Sequence, residues 1–137
     1  MALMPAEPLR DVQLSVRLRL TSGSRAGGLV WRYRDASNFH AAILNLSDHK
    51  ISVYRVTDGN RIRLEMRDGL ELDGDAWHTV RVIHDGPRVT VFIAGIRVLQ
   101  DDDRRYAPDM DGRVGVLASG SAEIDFDDVK MAPRRER

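Results

Sequence analysis

Acidic side chains at alternate positions near the C-terminus are candidates for acid–base chemistry. Glu123, Asp125 and Asp127 occur in the run E-I-D-F-D. On a strand, alternation would bring all three to one face, with about 7 Å between successive Cα atoms. Two carboxyl groups about 5–5.5 Å apart can hydrolyse a glycosidic bond with retention of configuration. These residues are therefore candidate catalytic groups, with a solvated acidic strand face as the alternative.

The aspartates also suggest a cation site, because calcium prefers several carboxylate and carbonyl oxygens. Asp125, Asp127 and Asp128 are the candidate ligands of a structural calcium ion, with the acidic run at 101–103 as a further source. Their spacing matches no defined calcium loop, and an acidic turn is the alternative. No other cofactor is expected. The histidines show no spacing typical of a metal triad; they are His40, His49, His78 and His84.

Polar and aromatic residues on strands are candidates for ligand binding. Residues 27–56 are predicted to form three antiparallel strands, joined by polar loops at 35–38 and 47–50. Because side chains alternate, Trp31 would pair with Ala42, and both would lie on one apolar face of the meander. Trp31 and Trp77 are both expected in the core. The remaining members of the apolar face are Leu29, Tyr33, His40, Leu44, Leu46, Ile51 and Val53.

The opposite face of this meander would be wet. Tyr54, and Phe92 on a later strand, are the candidates for stacking on a sugar ring, and Arg32 and Arg81 could donate to sugar hydroxyls or carboxylates. The alternative is a solvated sheet with cross-strand charge pairs. The candidate ligand-binding residues are Arg32, Asn45, Ser52, Tyr54, Arg81 and Phe92.

Period-two hydrophobicity predicts strands along the whole chain, and no segment sustains a helical period. In residues 61–67, Ile62, Leu64 and Met66 are expected to point inward. Turn signals recur every eight to twelve residues or so, which is typical of an all-β, two-sheet antiparallel sandwich or jelly roll. The other predicted strands are 11–20, 76–84, 88–94, 96–100, 113–118 and 122–131. We expect a loose lead-in at 1–10, a jelly-roll domain at 11–132 and a frayed tail at 133–137.

Composition excludes several classes of protein. The 137 residues suggest one domain. Lys and Arg together number 21, as do Asp and Glu, whereas a nucleic-acid-binding protein usually carries a basic excess. The absence of cysteine excludes disulfides and thiolate metal sites. No apolar run approaches the ~20 residues that span a membrane, and the N-terminus does not have the pattern of a secretory signal.

An ordered set of segments resembles a known group. These segments are G-L-V-W-R-Y-R-D-A-S-N-F-H at 28–40, V-Y-R-V-T-D-G-N-R at 53–61, A-W-H-T-V-R-V at 76–82, R-V-T-V-F-I-A-G at 88–95, D-G-R-V-G-V at 111–116 and F-D-D-V at 126–129. The chain resembles the laminin-G-like, concanavalin A-like jelly-roll domains of bacterial proteins. Within them it is most similar to the family 16 glycoside hydrolase-like, or 3-keto-disaccharide hydrolase-like, group.

The resemblance implies two stacked sheets, one with a glycan groove on its outer face. Strands of the meander and of the 76–94 hairpin would both contribute to that groove. It also implies a calcium ion on the convex side and a secreted or periplasmic location. The chain departs from the group at Ala94-Gly95, where Asp-Gly or Asn-Gly is usual, and at Phe39-His40, where two tyrosines are common.

Three functions follow as hypotheses. The first is a non-catalytic carbohydrate-binding module. The second is a small glycoside hydrolase, since E-I-D-F-D is similar to the Glu-x-Asp-x-Glu signature of family 16. The third acidic residue of this run is Asp127, which is one methylene shorter than Glu. The resemblance also aligns the run with a structural segment of the group. The third is an assembly domain, because the usual upstream strand is missing and would leave an open sheet edge for a homo-oligomer.

Overall fold

A computed structural model describes residues 2–3, 11–22, 26–72, 76–102, 112–118 and 123–133. Within these ranges the chain is built from antiparallel strands, and no described helix could cross a membrane. The strands are β1 (Ala2–Leu3), β2 (Val12–Ser22), β3 (Ala26–Asp35), β4 (Asn38–Asn45), β5 (Lys50–Thr57), β6 (Asn60–Arg67), β7 (His78–Asp85), β8 (Arg88–Ile93), β9 (Ile96–Asp102), β10 (Arg113–Ala118) and β11 (Glu123–Pro133).

The strands form two sheets. The front sheet has the order β1-β10-β3-β4-β5-β6, and the back sheet has the order β11-β2-β7-β8-β9. The predicted all-β, two-sheet sandwich is confirmed. The segment expected to be a loose lead-in contributes β1, which pairs with β10 at one edge of the front sheet. Homo-oligomerisation through an open edge stays a prediction.

The core lies between the sheets and follows the period-two pattern of the sequence. On β2, Val12, Leu14, Val16 and Leu18 are buried, whereas the residues between them face outward and are partly exposed. The front sheet contributes Leu29, Trp31, Ala42, Leu44, Leu46, Ile51 and Val53 to the same cluster, as the pattern predicts. Two sheets pack in this way because each buries its apolar face against the other.

A bulge in β3 changes the predicted register. Asp35 pairs with Asn38 at the turn, but further along the strand Trp31 pairs with His40 rather than with Ala42. The shift occurs between Trp31 and Asp35, where Arg32 has a positive φ of 49°. A shift of two residues keeps each side chain on its original face, so most of the core was assigned correctly.

The bulge does reverse Arg32 and Tyr33. Arg32 points inward and is 1% exposed, and its Nη2 donates to the Gly86 carbonyl oxygen at 3.1 Å. The same nitrogen lies 3.4 Å from Asp11 Oδ1. Tyr33 instead lies beside Phe39 on the outer side, with ring centroids 5.6 Å apart. The predictions that Arg32 is on the wet face and that Tyr33 is in the core were therefore wrong, because a bulge interrupts alternation.

A second bulge affects β6. Val53 pairs with Glu65 but Tyr54 pairs with Arg63, which leaves Leu64 as the additional residue. Leu64 packs against the core as expected. Ile62 pairs with Arg55 on the inward side, as predicted, although it is 41% exposed on this edge strand. Met66 pairs with Ser52 on the outer side, so the inward placement of Met66 was wrong.

Candidate functional site

The structure divides the predicted ligand-binding residues between three locations. Asn45, Ser52 and Tyr54 are on the outer side of the front sheet, and Arg81 and Phe92 are on the outer side of the back sheet. Arg32 is buried between the sheets. A single groove containing all of them was therefore a wrong expectation. Alternation predicts the side of a strand on which a residue lies, but it does not predict the sheet to which the strand belongs.

The outer surface of the front sheet, here called the front face, has a buried centre. Val30, Ala41 and Tyr54 follow one another in register across β3, β4 and β5. Val30 and Ala41 are 0% and 1% exposed, although they point away from the core cluster. The accessible part of the front face is therefore formed by the partly or fully exposed side chains around them; these are Tyr33, Phe39, Ile43, Asn45, Lys50, Tyr54, Arg61, Arg63, Met66 and Arg113.

Two of the predicted polar residues have structural roles on this face. Ser52 is 2% exposed and forms a side-chain hydrogen bond with Tyr54. Asn45 Oδ1 accepts from the Asp48 backbone N–H at 3.0 Å, and Asn45 Nδ2 donates to Asp48 Oδ2 at 3.3 Å. These contacts hold the β4–β5 loop. Ser52 and Asn45 thus position their neighbours, and Tyr54 is the predicted residue with an accessible ring.

Tyr54 and Arg61 form a stacked pair. The guanidinium carbon of Arg61 lies 3.8 Å from the centroid of the Tyr54 ring, which is a close cation–π contact. Burial raises the pKa of Tyr54, but the Ser52 hydrogen bond and the charge of Arg61 outweigh it, so the pKa is lower than usual. Ser52 and Arg61 thus hold the Tyr54 ring in place through their contacts with it.

An aromatic pair that the sequence analysis did not select lies on the same face. Tyr33 and Phe39 pack at 5.6 Å, and Phe39 occupies a position diagonal to Tyr54, since Ala41 pairs with Tyr54. Tyr33 was missed because the bulge at Arg32 has no clear sequence signal. Alternation with His40 placed Phe39 on the outer face of the meander, so the sequence did contain a signal for this residue.

The outer side of the back sheet has its aromatic rings covered by cations. Arg81 Nη2 donates to Gln13 Oε1 at 2.8 Å, and its guanidinium lies 5.7 Å from the Phe92 ring. Trp77 is partly exposed between Arg17 and Arg19, which lie 4.9 and 5.0 Å from its ring. The prediction that Trp77 is a core residue was wrong, whereas Trp31 is in the core as predicted.

The candidate catalytic and calcium-binding residues belong to β11 of the back sheet. Asp125 and Asp127 pair through their backbones with Arg19 and Arg17, and Glu123 pairs with Ser22. The side chains of these residues and of Asp128 lie outside the described part of the chain, so their chemistry stays a prediction. The backbone places this acidic segment in a different sheet from Tyr54. Among the described residues there is no group of three metal-ligating side chains.

The histidines lie in different environments. His40 and His84 are buried in an edge-to-face contact at 4.9 Å, and His84 Nδ1 accepts from the indole Nε1–H of Trp31 at 2.8 Å. Burial, and then the charges of Arg32 and His40, hold the pKa of His84 far below its usual value. His78 is also buried, and His49 is exposed in the β4–β5 loop.

Comparisons with known proteins were informative at the level of structure. No protein-family model matches the sequence, and none of the curated proteins matches it significantly. Among solved structures, the carbohydrate-binding module CBM66 from Bacillus subtilis is similar with a TM-score of 0.82 and 18% identity, covering 94% of this chain and 78% of that one. Chicken galectin 2 is similar with a TM-score of 0.73 and 7% identity, covering 91% and 93% of the two chains.

A part of a larger protein is also similar. The GH43 protein BlXynB from Bacillus licheniformis has a TM-score of 0.64 and 17% identity, with 91% of this chain matching 28% of that one. At these identities the likeness concerns the fold alone. The chain accordingly has a two-sheet jelly-roll fold that is also found in a carbohydrate-binding module and in a galectin.

Proposed function

We propose that this domain is a non-catalytic carbohydrate-binding module whose glycan lies on the front face, against Tyr54. The observation that carries the proposal is the Tyr54–Arg61 pair, with its 3.8 Å contact, beside the Tyr33–Phe39 pair. Aromatic rings provide apolar area for the faces of sugar rings, and neighbouring polar groups can bond to hydroxyls. The similarity to a carbohydrate-binding module and to galectins supports this choice.

The proposal revises the set of ligand-contacting residues. Tyr54 remains, and Arg61, Tyr33 and Phe39 join it, because they share the accessible part of the front face. Arg32, Asn45 and Ser52 act as positioning residues, and Arg81 and Phe92 belong to the opposite surface. Membership of the family 16 glycoside hydrolase-like group stays a prediction. We propose no hydrolytic role, because the acidic β11 segment and Tyr54 belong to different sheets.

A glycan array and polysaccharide pull-downs test the proposal, using the wild type and Tyr54→Ala. We expect Tyr54→Ala to weaken binding by about ten-fold, equivalent to about 1.4 kcal/mol, because the stacking surface is removed. Phe92→Ala is the matched control, since this ring is partly exposed on the other sheet; its affinity should equal that of the wild type. Loss of binding only in Phe92→Ala would contradict the proposed face, and the absence of any glycan ligand would contradict the proposed function.

The same measurements are repeated with calcium and with a chelator. Lower affinity in chelator would support a required calcium ion, for which Asp125, Asp127 and Asp128 are the candidate ligands. Unchanged affinity would argue against a cation in glycan binding.

A further inference from the structure

Several exposed cations lie on the front face, although the chain as a whole has a net charge of zero. Arg61 and Arg63 of β6 and Arg113 of β10 are exposed, and Lys50 of β5 is partly exposed. The exposed carboxylates of the front-sheet strands are Asp35, which accepts hydrogen bonds from Ser37 and Asn38, and Glu65, whose Oε1 accepts from the Met66 backbone N–H. Asp48, the acidic residue nearest to Lys50 in the described loops, lies 3.7 Å from its amine. The two charged side chains that border Tyr54, Arg61 and Arg63, are therefore both cations.

The arginines surround the proposed stacking residue. Arg63 is the cross-strand partner of Tyr54, and Arg61 covers one face of its ring at 3.8 Å. Arg113 pairs with Tyr33 at the other side of the face. Arg63 and Arg113 are both exposed, and neither forms an ion pair within the described residues.

The geometry of Arg61 suits an anionic group on a bound sugar. Stacking occupies the flat side of the guanidinium, whereas its N–H donors point outward in the plane. A carboxylate or a sulfate can therefore accept two parallel hydrogen bonds while the guanidinium remains on Tyr54. Arg63, on the same side of β6, can approach the same anion. Neutral hydroxyl groups would leave this charge uncompensated.

We infer that the front face selects acidic polysaccharides, in which sugar rings carry carboxylate or sulfate groups. The ring would lie against Tyr54, and its anionic substituent would bond to Arg61 and Arg63. This inference rests on the proposed glycan-binding function and adds the chemical class of the glycan. On the back sheet, Arg17 and Arg19 lie over Trp77, Arg81 donates to Gln13, and Arg88 pairs with Asp102.

Calorimetric titrations with polygalacturonate, dextran sulfate and neutral dextran test the inference. We expect an acidic polymer to bind at least about ten-fold more tightly than dextran, and its affinity to fall between about 50 mM and about 300 mM NaCl, across which the Debye length roughly halves. Arg63→Gln should weaken binding of the acidic polymer by about three- to ten-fold. The affinity of this variant should also decrease less with salt concentration than that of the wild type. Preference for the carboxylate or the sulfate polymer identifies which anion fits, and either preference supports the inference.

Arg97→Gln is the matched control, because Arg97 is exposed on the back sheet and bonds only to Gln100 among the described contacts. It removes the same charge without touching the front face, so we expect no change. An equal loss in Arg97→Gln would show non-specific attraction and overturn the inference. If neutral and acidic polymers bind with equal affinity and both depend on Tyr54, the preference for acidic polysaccharides is overturned and the proposed glycan-binding function stands. Binding of no polysaccharide in the array or the titrations would overturn the proposed function as well.

Discussion

His84 is a neutral imidazole enclosed between the two sheets. Its Nδ1 accepts a hydrogen bond from Trp31, so the ring proton of the neutral form is on Nε2. Burial is the largest cause of its lowered pKa, followed by the positive charge of Arg32. The folded protein therefore does not protonate this ring in the range where a free histidine does.

This residue should make stability depend on pH. Below about pH 6.5 the unfolded state binds a proton at His84 and the folded state does not, so stability falls on acidification by up to about 1.4 kcal/mol per pH unit. His84→Gln should reduce that slope between about pH 6.5 and about pH 4.5, measured by urea unfolding at a series of pH values.

His49→Gln is the control for this measurement, because His49 is exposed. It should leave the slope as in the wild type. Hydrogen bonds from the Asn38 side chain and the Ser37 backbone lower the pKa of Asp35, and this contribution is common to the wild type and both variants. An unchanged slope in His84→Gln would contradict the assignment of the neutral ring.

At the scale of the element, the β8–β9 hairpin has a strained turn. Ala94 and Gly95 both have positive φ, 52° and 80°, as a two-residue type I′ turn requires. The β5–β6 turn has the same conformation with Asp58 and Gly59, at 50° and 81°. Aspartate and asparagine tolerate the left-handed region better than alanine does, so the β8–β9 turn has the less suitable residue at its first position.

Ala94→Asn should therefore stabilise the protein, by about 0.5–1 kcal/mol, because it relieves the cost of left-handed alanine. Thermal unfolding is the measurement, and we expect Tm to rise by about 2–6 °C. Ala36→Asn is the control, since Ala36 is exposed in the β3–β4 turn and is not among the residues with positive φ. Equal Tm values for Ala94→Asn and the wild type would argue against the turn assignment.

At the scale of the whole molecule, a polar cluster joins the two sheets. Trp31 of the front sheet donates to His84 of the back sheet, and Arg32 donates to the carbonyl of Gly86 in the β7–β8 turn. Asp11 completes the cluster, since its Oδ1 also accepts from the Gly86 backbone N–H at 2.9 Å. Such buried polar contacts constrain how the sheets align, because an unpaired buried group costs more than a made hydrogen bond gains.

Trp31→Phe should lower stability by about 2–4 kcal/mol, because it removes buried area and leaves His84 Nδ1 without its donor. In a double-mutant cycle, Trp31→Phe and His84→Gln should be less destabilising together than the sum of the single changes, by about 1 kcal/mol. Urea unfolding measures the cycle. Trp31→Phe with His49→Gln should be additive, and additivity in the His84 cycle would contradict the coupling between sheets.

Local sequence was sufficient for the elements and for most of the core. Alternation placed strands close to their observed bounds, because a half-buried strand exposes every second residue. The shift of register at β3 did not disturb Leu29, Trp31 or Leu44, since it is an even number of residues. Polar pairs such as Asp58-Gly59 identified hairpin turns because left-handed backbone is accessible to few residue types.

Only the tertiary structure determined which of the candidate residues lie on the same surface. Arg32 turns inward because its charge is compensated by Asp11 and by the Gly86 carbonyl, both distant in sequence, and no local pattern reports such partners. Tyr54 and Phe92 both lie on the outer side of their strands. Because β5 and β8 belong to different sheets, the two side chains are on opposite surfaces of the sandwich. Sequence alternation determines the side of a strand, whereas long-range strand pairing determines which of those sides lie together.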